Sequence, residues 1–157
     1  MTRRTLILAA AGGSAALLLG AFGFQALGYV PCKLCIWQRW PHAVAIAIGL
    51  VALIPPALAA TGRALPLLGA LAALVASGIG VYHTGIERGW WTGPATCTSG
   101  PIGGQSAEQL LDQIMKAPLI RCDEVALSLL GLSMASWNAL LSLILAFVWI
   151  AAARRAA

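Results

Sequence analysis

The sequence predicts an all-α membrane protein, a bundle of four transmembrane helices with two polar loops on one side, the second carrying a short interfacial helix. Three observations predict it. Of 157 residues, 60% are hydrophobic and 10% charged, and the mean hydropathy is +0.86, a composition that a water-soluble globule does not carry. Four apolar runs recur at about 5–27, 36–56, 65–82 and 129–153, each near the ~20 residues that about 30 Å of hydrocarbon requires. All the acidic residues, Glu87, Glu108, Asp112, Asp123 and Glu124, fall between the third and fourth runs. The chain therefore reads as one integral membrane domain over residues 1–157, with loops at about 28–35 and 83–128.

The first run begins as a signal peptide would, MTRRT followed by LILAAAGG. It continues through AALLLGAFGF with no small-x-small cleavage site before Pro31, so it reads as a retained span. The second run is clean only from Trp40 to Ile54, about 22 Å of helix. Starting near Leu34 to Ile36 makes it long enough, although Pro41 then removes the bond to the Trp37 carbonyl and predicts a kink. This choice puts Cys35 in the first helical turn, where unpaired N–H groups favour a thiolate, with Arg39 one turn further on. The third run leads to His83.

In the long loop, GPATCTSGPIGG (93–104) is rich in Gly and Pro and predicts a mobile arm bearing an exposed Cys97. Ser106 and Gln109 then make a capping box, opening a helix with Leu110, Leu111, Ile114 and Met115 on one face and limited by Pro118. Its length suits the membrane surface rather than a crossing. Cys122 follows, and then the fourth run.

Orientation follows from Lys and Arg near the span ends. One side holds Arg3, Arg4, Arg63, Arg154 and Arg155, the other Lys33, Arg39, Arg88, Lys116 and Arg121, so the count alone is balanced. Arg3 and Arg4 flank the first helix directly and Arg63 sits in a very short connection, which assigns their side to the cytoplasm. The net charge of +5 is then a topology signal, and no nucleic-acid partner is expected. Tyr29, Trp37, Trp40, Tyr82, Trp90, Trp91 and Trp137 gather at the outer span ends, as an interfacial belt at the lipid surface does.

Four cysteines, Cys32, Cys35, Cys97 and Cys122, share the loop side, which on this orientation is the oxidising one. Three readings compete. Two structural staples are possible, but a disulfide across the two-residue spacer of PCKLC closes too small a loop to stabilise much, and such pairs serve exchange. A zinc site lacks a second tight pair of ligands, and thiolates facing an oxidising compartment tend to oxidise first, so no metal is expected. The third is two redox pairs in series: a loop pair meets a protein partner, and a pair at the membrane surface meets a lipid-soluble oxidant. Arg39, at the mouth of the second span, has the chemistry to hydrogen-bond a quinone carbonyl, or else anchors to headgroups. His83 has the chemistry to relay a proton, and His42, beside Pro41, reads as structural.

PCKLCIWQR after the first span, YHTGIE and PATC around the exit of the third, and a lone Cys122 before LLGLSMASWNAL together resemble the disulfide bond formation protein B (DsbB) family along nearly the whole chain. The resemblance implies a bacterial inner-membrane protein, its cysteine loops periplasmic, serving the electron transport that supports disulfide formation. It also implies bound ubiquinone or menaquinone drawn from the quinone pool, and a DsbA-like thioredoxin-fold periplasmic partner. On that resemblance Cys97 forms the mixed disulfide with the partner and Cys122 is its companion that exchanges with Cys32. Cys35 faces the quinone, Arg39 sits against it, and His83 falls near the family's histidine. The Gly-rich tract after Cys97 departs from the pattern. The other readings are a disulfide-stapled scaffold without turnover and a quinone oxidoreductase similar to vitamin K epoxide reductase, whose CxxC lies in a later helix.

Overall fold

The computed structural model describes residues 1–54, 61–94, 97, 106–116 and 120–155. Pro55, Pro56 and Pro118 lie outside the described residues, as do the side chains of Leu110 and Ile114 and most of the Gly-rich tract. The elements are α1 (Arg3–Ala26), α2 (Lys33–Ala52), α3 (Ala64–Glu87), α4 (Ala107–Lys116), the strands β1 (Ser128–Leu129) and β2 (Leu132–Ser133), and α5 (Met134–Arg154). Among these, α1, α2, α3 and α5 are long and apolar enough to cross a membrane. Contacts run α1 to α2, α2 to α3, α3 to α5 and α5 back to α1, a closed four-helix ring. The all-α fold class expected from hydropathy is the observed one.

Small residues let the helices approach, which is how packing is gained where lipid is as apolar as the side chains it would replace. Trp149 of α5 is fully buried against Gly69 of α3, where an added Cβ would sit 2.6 Å from the indole ring. Gly80 likewise meets the backbone of Ala139. At the opposite end from the cysteines, the buried Arg3 side chain donates to the carbonyl of Gly62 in the α2–α3 connection, so the Arg3 and Arg63 ends of the bundle lie together.

Three boundaries position the site. α2 begins at Lys33 because Cys32 caps it, its Sγ accepting from the Cys35 N–H at 3.2 Å; the helix runs on through Pro41. α3 continues through His83 to Glu87 and stops at a left-handed Gly89 (φ +68°). There Trp90 N donates to Gly85 O (2.8 Å) and Gly89 N to Ile86 O (3.0 Å), the paired closure of a Schellman motif. α5 begins only at Met134, because Leu130 and Gly131 (φ 52° and 79°) turn a two-residue-per-strand hairpin pairing Ser128 with Ser133. Ser133 then caps α5, accepting from Ser136 N at 3.2 Å. The Ser106–Gln109 pair bonds reciprocally at 3.0 and 3.3 Å, so the capping box forms.

Candidate active site

The cap on α2 decides where the first sulfur goes. A residue at the N-cap turns its side chain back over the unpaired N–H groups of the first turn, and Cys32 does this with sulfur in place of oxygen. Its Sγ lies 2.9 Å from that of Cys35, one turn on, and 3.6 Å from His83 Nε2 on α3. Cys97 and Cys122 form a disulfide, and the loop backbone doubles it: Cys122 N donates to Cys97 O at 2.7 Å, and Cys97 N to Pro94 O at 2.9 Å. The Cys32, Cys97 and Cys122 sulfurs all lie within 4.8 Å of one another, and so do the Cys32 sulfur, the Cys35 sulfur and a ring nitrogen of His83. Cys32 is thus the sulfur common to both clusters.

Leu34 and Ile86 complete this buried cluster. Cys97 is 1% exposed, which corrects the expectation of an exposed sulfur: its disulfide to Cys122 and its contact with Leu34 and Ile86 hold it under the surface. Trp91 braces the chain that leads to it, stacking on Tyr82 with ring centroids 6.0 Å apart. Its indole N–H donates to the Tyr82 carbonyl at 2.9 Å. The indole lies so close over Gly85 that an added Cβ would sit 2.0 Å from it.

Electrostatics single out Cys32 as the thiolate. The neighbouring Cys35 thiol, and after it the His83 imidazole, hold the Cys32 thiol down to about 4 against the opposing effect of burial. Sequence reasoning had placed the thiolate on Cys35 and missed the contribution of the capping position. It also missed Glu87, one turn after His83 on the same face, which accepts from Ser133 Oγ and lies 3.9 Å from His83 Nε2. The i,i+4 spacing of His83 and Glu87 was the available signal.

The family model of disulfide bond formation protein DsbB matches residues 3–152. The chain belongs to the DsbB family. Over 119 residues it is 33% identical to the uncharacterized protein RP370 of Rickettsia prowazekii (strain Madrid E), an alignment covering 74% of this chain and 67% of that protein. No solved structure matches the chain. DsbB membership and four spanning helices make this a multi-pass membrane protein of disulfide-bond formation, a thiol–disulfide oxidoreductase.

In this DsbB-family chain Arg39 does not turn toward Cys35. Its guanidinium reaches across to α1, donating to Gln25 Oε1 (2.7 Å) and the Ala21 carbonyl (3.4 Å) and lying 4.7 Å over the Phe22 ring. Its Nε is buried and without a partner. An apolar groove between α2 and α3, lined by Trp37, Trp40, Pro41, Val44, Val75 and Ile79, opens on a different face of α2. At 100° per residue those α2 positions lie about 100° to 200° round the helix from Arg39. His42 is buried and bonded to Asn138 Oδ1 at 2.8 Å. Asn138 and Gln38 were also missed, although a polar residue inside a span is a functional candidate on its own.

Proposed function

We propose that this chain is a protein-disulfide:quinone oxidoreductase that reoxidises a DsbA-like thioredoxin-fold protein in the bacterial periplasm. Electrons enter at Cys97/Cys122, pass to Cys32/Cys35 and leave to membrane ubiquinone or menaquinone. The observation that carries this reading is the position of Cys32, within exchange distance of both Cys35 and the Cys97–Cys122 pair. The steps balance as thiol–disulfide exchange. The partner's dithiol reduces Cys97–Cys122 and becomes a disulfide. The Cys122 thiolate attacks Cys32 in a Cys32–Cys35 disulfide and Cys35 leaves as thiolate. The Cys97 thiolate then attacks Cys122, restoring Cys97–Cys122 and releasing Cys32 as thiolate. Oxidising the Cys32/Cys35 dithiol gives up two electrons and two protons, which a quinone accepts.

Arg39 supports the quinone part of the reading. A guanidinium held at the rim of the hydrocarbon, with one buried N–H unpaired, fits a carbonyl oxygen that gains negative charge on reduction. Cys35 is the quinone-facing sulfur, and His83, in contact with Cys32, serves the proton inventory. Arg3, Arg4, Arg63, Arg154 and Arg155 face the cytoplasm. The whole chain acts as one domain in the bacterial inner membrane.

The test is oxidation of a reduced thioredoxin-fold protein by the purified chain, with ubiquinone or menaquinone supplied or withheld. Multiple turnovers with quinone and a single turnover without it are expected. Oxidation of the partner that proceeds equally without quinone, or none with either quinone, overturns the proposal. A scaffold would also keep the same free-thiol count with and without quinone.

A further inference from the structure

We infer that Gln38 and Asn138 are positioning residues for the thiol chemistry: a one-way series of hydrogen bonds runs from His42 to Cys32 and locks His83 as the imidazole tautomer whose Nε2–H points at the Cys32 sulfur. The inference rests on the reading of Cys32 as an exchanging thiol and adds the groups that govern it. The contacts are His42 Nε2 to Asn138 Oδ1 (2.8 Å), Asn138 Nδ2 to Gln38 Oε1 (2.7 Å), Gln38 Nε2 to His83 Nδ1 (2.9 Å) and His83 Nε2 to Cys32 Sγ (3.6 Å).

Each amide could in principle be turned over, which would reverse the series. Two backbone carbonyls forbid it. Gln38 Nε2 also reaches Leu34 O at 3.3 Å and Asn138 Nδ2 reaches Ala76 O at 3.3 Å, and a carbonyl accepts only from N–H. With Gln38 donating, His83 Nδ1 must be the acceptor, so the ring proton of the neutral imidazole sits on Nε2. With Asn138 Oδ1 accepting, His42 likewise carries its proton on Nε2, and its buried Nδ1 has no partner. Ser142 Oγ, 3.4 Å from Asn138 Oδ1, adds a second donor at that end. Every bond in the series therefore points toward Cys32.

The tautomer decides between two chemistries that the same cluster of Cys32, Cys35 and His83 would otherwise serve. A metal would need the Nε2 lone pair and hence a proton on Nδ1, which would face the Gln38 N–H. A proton on Nε2 instead donates to a sulfur bearing negative charge. When the Cys97 thiolate attacks Cys122 of a Cys32–Cys122 disulfide, the Cys97–Cys122 bond forms, the Cys32–Cys122 bond breaks and the electron pair goes to Cys32 Sγ, where that N–H is waiting. The other titratable groups facing this pair are Cys35 from α2, Glu87 from α3 and the loop cysteines; the end of β2 that caps α5 contributes the neutral Ser133, bonded to Glu87.

The chain has only two histidines, so ¹⁵N-histidine spectra of the fully reduced chain in lipid nanodiscs read the series directly. Both rings should show a protonated Nε2 and a bare Nδ1 in alkaline buffer, where the imidazoles are neutral. Gln38→Met should leave His83 a mixture of tautomers and raise the pH midpoint of Cys32 alkylation, resolved from Cys35 by peptide mass, by about one unit, a tenfold change in the acid constant of that thiol. Asn138→Asp, which keeps the acceptor for His42 but removes the donor to Gln38, should do the same more weakly. The inference is overturned by a parent spectrum with His83 protonated on Nδ1, or by an unchanged Cys32 midpoint in Gln38→Met. Added Co²⁺ that gives a thiolate–cobalt band while stripping the Nε2 proton also overturns it. None of these readouts involves quinone or partner, so a chain with the series intact and no quinone turnover would sink the proposed function alone.

Discussion

Replacing Gly85 with alanine should unseat Trp91 and expose the loop disulfide without unfolding the bundle. The added methyl would sit 2.0 Å from Cζ2 and 2.3 Å from Cε2 of Trp91, and the ring cannot retreat while it stacks on Tyr82 and bonds the Tyr82 carbonyl. The clash cannot cost more than letting the indole leave. That cost is one hydrogen bond at about 1 kcal/mol plus a stacked aromatic pair at about 0.5–1.5 kcal/mol. The undocked population should therefore rise by about ten- to seventyfold. The helix-propensity gain of alanine over glycine, up to about 1 kcal/mol, belongs to α3 whether or not Trp91 is docked, so it appears in global stability and not in this equilibrium. The assay is the rate at which a membrane-impermeant phosphine reduces Cys97–Cys122 in the native chain, followed by alkylation and peptide mass, alongside a thermal midpoint. Reduction should quicken roughly tenfold while the midpoint moves little. A parent-like reduction rate would refute the argument that Trp91 guards the segment leading to Cys97.

Cys32 gives a pH prediction: its folded value near 4 lies below that of an ordinary thiol, so its thiolate persists as pH falls and is lost only through about pH 4. Alkylation of Cys32 in the reduced chain should stay nearly flat from pH 8 to 5, where an ordinary thiol slows about tenfold per unit. Arg39→Leu removes a charge-assisted hydrogen bond of about 1.5–3 kcal/mol, so turnover at low quinone should fall roughly ten- to a hundredfold while single-turnover oxidation of the partner stays normal. Cys122→Ser should leave Cys97 joined to the partner as a mixed disulfide on a non-reducing gel. Gly69→Val, overpacked against Trp149, should destabilise the bundle by about 1–3 kcal/mol, seen as a lower thermal midpoint in detergent.

Hydropathy made the four helices legible, because a 20-residue apolar run has few other fates. The ends were harder. The apolar run starting at Leu129 includes residues that form a hairpin, and only the Leu130–Gly131 turn shows it. Hydropathy falls at His83, yet α3 continues to Glu87 because the helix stops where Gly89 turns left-handed. Within the site, the four cysteines, Arg39 and His83 were legible as candidates. Their relations were not. Composition expected Cys97 outside, whereas a partner 25 residues away holds it under the surface. Spacing aimed Arg39 along its own helix at Cys35, whereas Gln25 of the neighbouring helix takes the guanidinium. Gln38 and Asn138 are a hundred positions apart, and no local period links them.

The amide of Cys122 on the carbonyl of Cys97 has a kinetic consequence. When a partner opens the disulfide, this second fastening does not depend on the oxidation state of sulfur, so the two cysteines do not drift apart to the ends of a free loop. A cysteine still held beside its mate attacks as if present at very high local concentration. A mixed disulfide between Cys97 and the partner would then be short-lived: attack by Cys122 restores the Cys97–Cys122 bond and returns the partner reduced, unless the partner's own second thiol attacks first and leaves it oxidised, so a stalled encounter reverses instead of being captured half-way.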